Sequence, residues 1–460
     1  MTTELIKKAL GTATETREIA FGRGVVTRTG EIFKKTFPGK KVLVVADGNT
    51  FEACGDAVVK SLVDAGVEAV EEPYVFPGTP TLYAGYENVT KLREHLEPLG
   101  DGVVVCSIAS GTLNDIAKLA SGELGREYMN VCTAPSVDGY AAFGASIAID
   151  GFKITRSCPA PAALVADLDV IAHAPKRLVE TGYGDLIEKI PAGADWIAAD
   201  ELGIEAIDDY VWGLVQGNLR EVLGDPQAIA DGDVDAIGLL TEGNIMSGLA
   251  MQAAQSSRPA SGAGHQFSHV WEMEGHGLDW EPPLSHGNKV GVGTVASCAL
   301  WEELLKVDVA ALDTDKIVAN AKSADEVERY VRSMQIEKIA DQAVKHSLNK
   351  HLEGEALRER VELIKKQWPA IKERVSKQLM SPQEAMDKLR TAGAPYHPEM
   401  LKIDWERFHK THFQAQQIRS RYTVLDILGI WVCWMRLWRT CLLRMVSGGV
   451  TVTRKISRLP

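Results

Sequence analysis

The sequence predicts an α/β N-terminal domain built on a parallel, Rossmann-like sheet, followed by an all-α C-terminal domain. Three observations carry this. From about residue 40 to 170, short β-branched runs alternate with helical stretches, the pattern of parallel strands joined by crossover helices. Each of those runs ends in a polar, glycine-containing turn. Beyond about Leu168 the texture changes to long amphipathic segments with few β-rich runs.

Taken in order, residues 41–47 (KVLVVAD) read as a buried strand that ends in Asp-Gly-Asn-Thr. Residues 103–107 (VVVCS) read as a second, running into Ile-Ala-Ser-Gly-Thr-Leu-Asn-Asp. A third, 130–133, is followed by Ala-Pro-Ser-Val-Asp-Gly-Tyr. Ligands of open α/β sheets bind outside the carboxyl ends of the strands, so three such turns point to one crevice. The helical half comprises 175–199, 201–223, 234–255 and the highly charged 324–389. Alternating charges between 328 and 377 fit a solvated helix face.

The expected boundaries are 1–168 for a nucleotide-binding α/β domain, 169–428 for an all-helical domain carrying metal and substrate, and 429–460 for an atypical tail. After Asp426 no acidic residue follows, while Arg436, Arg439, Arg444, Arg454, Lys455 and Arg458 are basic and Trp431, Trp434 and Trp438 cluster. The arginines interrupt the apolar run 427–446, so no stable membrane insertion is expected. A basic amphipathic helix lying on a membrane surface fits the same composition.

Composition narrows the function. At 460 residues the chain can build two domains, and 45% hydrophobic with 24% charged residues is ordinary for a globular protein. A net charge of -12 argues against a nucleic-acid partner, which requires clustered Lys and Arg. Seven cysteines at irregular spacing suit reduced thiols rather than a disulfide framework. The N-terminus lacks the apolar core of a signal peptide, and a cytoplasmic protein is expected.

The sharpest chemical feature is sparse: Asp185 in Gly-Tyr-Gly-Asp-Leu-Ile-Glu-Lys, His265 and His269 in Gly-His-Gln-Phe-Ser-His, and His286 in Ser-His-Gly-Asn-Lys. One carboxylate and two or three imidazoles suit a catalytic divalent metal. On a helix, His265 and His269 fall at i and i+4 on one face. With Asp185, His265 and His286 as ligands, one coordination position stays open for substrate, which separates a catalytic site from a closed structural one. Eleven histidines also give close pairs by chance. Small neighbours, Ser261-Gly262-Ala263-Gly264 and Gly287, weigh the other way by letting backbone and ligand approach. No Cys-x-x-Cys pair suggests a zinc knuckle.

The strand-end turns supply cofactor candidates. Ala109, Ser110, Gly111, Thr112 and Leu113 lead into a helix N-terminus, whose N–H groups suit a pyrophosphate; a plain strand-to-helix connection would look similar. Asp47 is placed either to accept from an adenosine ribose or simply to cap a turn. Thr133, Ala134, Pro135 and Ser136 lead to Asp138, a candidate to hold a substrate hydroxyl. Standing alone, that segment would read as an ordinary Pro-Ser-x-Asp-Gly turn.

The segments do not stand alone. Ser-Gly-Thr-Leu-Asn-Asp-Ile-Ala-Lys (110–118), Thr-Ala-Pro-Ser-Val-Asp-Gly-Tyr (133–140), Gly-Asp-Leu-Ile-Glu-Lys (184–189) with Asp195-Trp196, and both histidine motifs together resemble the sn-glycerol-1-phosphate dehydrogenases. These sit in the superfamily of iron-containing alcohol dehydrogenases, glycerol dehydrogenase and dehydroquinate synthase. The resemblance runs over roughly residues 15 to 428 and implies a dehydroquinate synthase-like fold. It implies reversible NAD(P)H-linked reduction of dihydroxyacetone phosphate to sn-glycerol 1-phosphate, with NAD(H) or NADP(H) and one divalent ion, zinc or nickel before iron. A small phosphorylated substrate and a homo-oligomer, commonly a dimer, are implied as well.

By position, the resemblance makes Asp185, His265 and His286 the metal ligands, and His269 with Asp185 the catalytic pair. It gives Asp138, Asp185 and His269 to the substrate, and Asp47, residues 109–113 and residues 133–136 to the cofactor. Where the family usually has a cofactor-touching Ser, four residues after the substrate Asp, this chain has Ala142. Lys153, Arg258 and Lys289 are candidates for the substrate phosphate by sequence neighbourhood. The likeness ends near residue 428, where an acidic helix is expected and a basic one follows; a shift of reading frame would explain it. Two rival readings are a dehydrogenase of an unphosphorylated polyol such as glycerol, and a non-catalytic protein with structural histidines and a membrane-docking tail. A dehydroquinate-synthase-like lyase fits less well, because its carboxylate ligand is normally Glu.

Overall fold

A computed structural model of the chain describes residues 3–150 and 152–430. Six strands form one parallel sheet: β1 (Glu18–Gly22), β2 (Lys41–Asp47), β3 (Tyr74–Phe76), β4 (Val103–Ala109), β5 (Tyr128–Cys132) and, after an antiparallel hairpin of β6 (Ala145–Ile149) and β7 (Phe152–Arg156), β8 (Ala163–Asp167). The order across the sheet is β1-β8-β5-β4-β2-β3. Every residue of β4 and β5 is buried, as central strands covered on both faces require, which is why VVVCSIA is continuously apolar. Side chains alternate between two layers: Val42, Val44 and Ala46 pack with Val58 and Leu62, whereas Leu43 and Val45 pack with Val89, Leu92 and Leu96.

The strand read at 41–47 is β2, and those read at 103–107 and 130–133 fall on β4 and β5. Strands β1, β3 and β8 escaped the sequence reading. β1 and β8 are short and alanine-containing, β3 has three residues, and all take their conformation from the neighbours they pair with. In the sheet order β5, β4 and β2 are adjacent, so their carboxyl-end turns lie side by side.

Beyond β8 the described chain is helical. The segment read as one helix over 175–199 divides into Lys176–Ile187 and Lys189–Glu201. Pro191 accounts for the break, since it offers no N–H to the Ile187 carbonyl four residues earlier. Helix Val234–Ala254 is buried almost throughout from Ile237 to Gln252 and forms the middle of this half. The charged stretch 324–389 becomes four helices, of which Gly354–Gln378 buries Leu357, Val361, Ile364, Trp368, Ile371 and Val375 on one face. Its outer face carries pairs such as Glu373–Lys377 at 2.7 Å.

Among the described residues no helix is long and apolar enough to cross a membrane. The free cysteines Cys54, Cys106, Cys132, Cys158 and Cys298 are all buried. Helix Val424–Gly429 is the last described element, so the basic, Trp-rich tail from 431 onward lies outside the described residues.

Candidate metal centre and cofactor crevice

Three helices bring the candidate ligands together. Asp185 sits near the end of Lys176–Ile187, His265 in the first turn of Ala263–Met273, and His286 at the start of His286–Leu304. Glycines let these helices meet backbone to backbone. A Cβ on Gly184 would lie 2.5 Å from the Gly287 carbonyl oxygen, and one on Gly287 or Gly293 would overlap the carbonyl of Thr181 or Gly264. A Cβ on Gly182 would overlap the Pro135 carbonyl, which ties the Asp185 helix to the turn after β5.

Donor atoms of Asp185, His265 and His286 lie within 4.8 Å of one another. Asp185 Oδ1 and His265 Nε2 are 3.2 Å apart; two donors about 2.1 Å from a shared tetrahedral ion stand roughly 3.4 Å apart, so the pair fits a common cation. Each imidazole is held from behind. His265 Nδ1 faces Glu188 Oε2 at 2.8 Å, and His286 Nδ1 faces Glu272 Oε1 at 2.9 Å and Ser268 Oγ at 3.0 Å. An Nδ1–H donated to a carboxylate fixes the tautomer and leaves the Nε2 lone pair for a metal. Neither Glu188 nor Glu272 was singled out in the sequence. Each stands three residues beyond a residue that was, Asp185 or His269, and that spacing on a helix was the available sign.

Lys189, fully buried, closes the other side. Its Nζ donates to Asp138 Oδ2 at 2.8 Å, Asp185 Oδ1 at 3.0 Å and the Asp185 carbonyl at 2.9 Å. Asp138 Oδ2 also accepts from Ser247 Oγ at 2.9 Å. Burial works to raise the Asp185 carboxyl, but Lys189, His265 and His286 outweigh it and hold the group well below the usual carboxylate range. Burial likewise opposes the His265 imidazolium, yet Glu188 and Asp185 lift it to about 9.

His269 lies one turn beyond His265, its ring stacked on His286 at 19° and 5.7 Å between centroids. Burial, reinforced by the charge of Arg419, pushes it well below the ordinary histidine range. Its Nδ1 is buried and has no hydrogen-bond partner, a condition that native sites normally resolve with a ligand or water. His269, Glu272 and His286 form a second possible donor group. Lys153 Nζ, 2.9 Å from Glu272 Oε2, already puts a positive charge there.

A crevice of about 250 Å³ reaches this centre at His286, the one member of the donor set among its lining residues. Asp47, Ser110, Gly111, Thr112, Leu113 and Ser136 wall it from the sheet side, and Lys153, Glu272, Ser285 and His286 from the other. Helix Gly111–Glu123 begins at the wall and directs its unpaired first-turn N–H groups there. Asp47 caps helix Gly48–Asp64, Oδ1 accepting from the Asn49 and Thr50 amides at 2.9 Å each, and still lines the crevice. The capping reading of Asp47 is therefore the one observed, and its position in the lining is compatible with the other.

Ala109, Thr133, Ala134 and Pro135 form the layer beneath rather than the lining. The Ala109 carbonyl accepts from the Thr133 amide at 3.3 Å, the Ala134 carbonyl from the Tyr140 hydroxyl, and the Pro135 carbonyl from Asn244 Nδ2 at 3.1 Å. Ala142 packs with Met251 and Ala260, so apolar contact fills the position where a hydroxyl was expected. Lys118, unassigned in the sequence, is a buried staple: Nζ donates to the carbonyls of Gly139, Ala142 and Gly144 at 2.9, 2.8 and 3.0 Å. Of the phosphate candidates, Lys153 lines the crevice and Lys289 lies 3.9 Å from Glu272 Oε1. Arg258 is engaged elsewhere, with the Tyr422 carbonyl at 3.1 Å and Glu205 at 3.2 Å.

Residues 20–175 match the sequence profile of the family described as iron-containing alcohol dehydrogenase. The glycerol-1-phosphate dehydrogenase (NAD(P)+) of Pyrococcus furiosus is 33% identical over 284 residues, 61% of this chain and 77% of that protein. Its counterpart from Pyrococcus horikoshii is 31% identical over 315 residues, covering 68% and 85%. That of Halalkalibacterium halodurans is 36% identical over 261 residues, 57% of this chain and 65% of that protein. Across this and two further relatives, from Bacillus velezensis and Geobacillus thermodenitrificans, the chain spans 65%, 66% and 62% of their length, just under two thirds. In fold alone it is similar to maleylacetate reductase from Rhizobium (TM-score 0.55, 14% identical, 95% of this chain and 98% of that one). Glycerol dehydrogenase from Schizosaccharomyces pombe is similar in the same sense (TM-score 0.51, 18% identical, 80% and 93%).

Proposed function

The chain belongs to the superfamily of iron-containing alcohol dehydrogenases and glycerol dehydrogenases, and from that premise we propose that it reduces dihydroxyacetone phosphate to sn-glycerol 1-phosphate, reversibly, with NAD(P)H. The observation that carries the reading is the Asp185, His265 and His286 donor set at the end of a crevice walled by a helix N-terminus. The relatives' names support the choice of substrate.

Asp185, His265 and His286 would hold a divalent ion, which when bound supplies Lewis acidity toward the substrate carbonyl. The chain's own residues do the rest. Ser110 to Leu113 bind the cofactor pyrophosphate at the helix N-terminus. Lys189 keeps Asp185 ionised and Asp138 in place, and Asp138 accepts a hydrogen bond from a substrate hydroxyl. Glu188 and Glu272 fix the two imidazole tautomers. His269, kept neutral by burial, offers one ring nitrogen to the substrate oxygen and relays the proton that accompanies hydride transfer.

The test is NADH oxidation followed by absorbance with dihydroxyacetone phosphate, with dihydroxyacetone and without substrate, before and after chelation. Turnover of the phosphorylated ketone is expected, lost on chelation and restored by zinc or nickel. Equal turnover of dihydroxyacetone would favour an unphosphorylated polyol, and indifference to chelation would remove the metal.

A further inference from the structure

Two loops, one from each half of the chain, flank the crevice. Residues 77–85 follow β3 in the α/β half and put Thr81 and Tyr83 into its lining, while residues 274–285, between the helices of His265 and His286, put Leu278 and Leu284 there. Each loop is anchored in its own half. The Gly78 carbonyl accepts from Asn49 Nδ2, and the Tyr83 carbonyl from Asn88 Nδ2, both at 2.9 Å. On the other side His276 Nε2 donates to the Leu401 carbonyl at 2.6 Å, and Arg407 pairs with Glu274 at 2.9 Å. The loops meet across the crevice, where the Thr81 amide donates to Glu281 Oε2 at 3.0 Å and the Thr81 hydroxyl to Glu281 Oε1 at 2.5 Å. Thr81 lines the crevice and Glu281 is exposed, so this contact stands at the rim.

The crevice holds about 250 Å³, below the roughly 300–1,000 Å³ of pockets that take drug-sized ligands. A dinucleotide is larger than such ligands, so seating NAD(P)H requires the two walls to part. The joints between the walls differ in how easily they yield. At Gly182 the Pro135 carbonyl leaves no room for a Cβ and accepts from Asn244 Nδ2 at 3.1 Å, a close-packed contact that resists displacement. Lys153 and Glu272, 2.9 Å apart, are mostly screened from solvent, their side chains 22% and 7% exposed. The bonds from Thr81 to Glu281 face water, which competes for both partners and makes this joint the easiest to break. We propose that Thr81 and Glu281 form a clasp that holds the rim of the crevice shut, opens to admit NAD(P)H and closes again over the bound cofactor. This rests on the reading of the crevice as the cofactor site. Because the same bonds form before and after binding, the clasp slows entry and release together and leaves the equilibrium nearly unmoved.

The experiment is stopped-flow fluorescence of NADH binding to the full-length, zinc-loaded wild type and to Glu281→Ala and Thr81→Val, with circular dichroism confirming that the variants fold. Loss of one hydrogen bond corresponds to roughly a two- to tenfold change in a rate. Association and dissociation are both expected to accelerate by that factor in each variant, with the Kd for NADH moving much less. Glu281→Gln keeps an oxygen acceptor for Thr81, and its rates should fall between those of the wild type and Glu281→Ala. Unchanged rates in both variants of an enzyme that does bind NADH would overturn the clasp and leave the cofactor reading intact. A faster dissociation with unchanged association, so that Kd rises in proportion, would make the two residues ordinary binding contacts and overturn the clasp as well. A wild type that binds no NADH would remove the cofactor reading, and the clasp with it.

Discussion

Glu188 holds His265 Nδ1 at 2.8 Å in a fully buried setting, so the charge of one carboxylate is committed to one imidazole. In the metal-free protein that charge, with Asp185, lifts His265 to about 9. Below about 9 a proton therefore competes with any cation for Nε2. Apparent metal affinity should rise with pH and level off above about 9, and metal uptake at neutral pH should release a proton. Calorimetry in two buffers of different ionisation enthalpy measures that proton. Glu188→Gln removes the charge; affinity should drop about 10–100-fold and the plateau should move to lower pH, read by competition with a chelator at unchanged circular dichroism. That Asp185, His265 and His286 could form one donor set was legible from residue type and, for the histidines, from small flanking residues. Glu188, Glu272 and Lys189 were not, because a buried charge reveals itself only through partners that the fold supplies.

At the scale of elements, the centre depends on helices that touch without side chains between them. A Cβ on Gly293 would overlap the Gly264 carbonyl, one residue before His265. Gly293→Ala should push the two ligand-bearing helices apart, costing about 1–3 kcal/mol of stability and weakening metal binding together with it, as denaturant titration and chelator competition would show. Asp195 ties the same helix down: its carboxylate accepts from the Ala263 amide at 2.8 Å and from the Val424 amide and Trp301 Nε1 at 2.9 Å.

Burial pushes Asp195 up to about 7, above the value near 3.9 of an unfolded chain. A raised carboxyl favours the folded state most below about pH 4, and that contribution erodes as pH rises to about 7. Asp195→Asn does not titrate there, so urea unfolding should show the wild type losing stability relative to the variant between pH 5 and pH 8. The Asp195-Trp196 segment was legible only as a family feature. Its packing role depends on Val424 and Trp301, 229 and 106 residues away in sequence, which no local pattern discloses. The opposite case is β2, a strand of seven residues whose apolar run, bounded by a lysine and an aspartate, made Lys41–Asp47 readable.

Over the whole molecule, the crevice draws one wall from the loops after β2, β4 and β5 and the other from the helices of Glu272 and His286. The alternation of strands and helices made the first wall legible, and the histidine motifs the second. That the two walls face each other is a property of packing, visible in Gly182 against the Pro135 carbonyl. Under the proposed function, cofactor and metal would therefore be held by neighbouring but separate residues. A ligand at a hundred times its Kd adds about 2.7 kcal/mol to the folded state, so NADH and zinc should each raise the thermal midpoint. In Gly111→Val the new side chain meets Val137, whose Cγ1 lies 2.6 Å from the added Cβ, at the very turn where pyrophosphate would sit. That variant should lose the shift from NADH and keep the shift from zinc, whereas His265→Ala should do the reverse. Either variant losing both shifts while still folded would mean that the two walls do not carry separable sites.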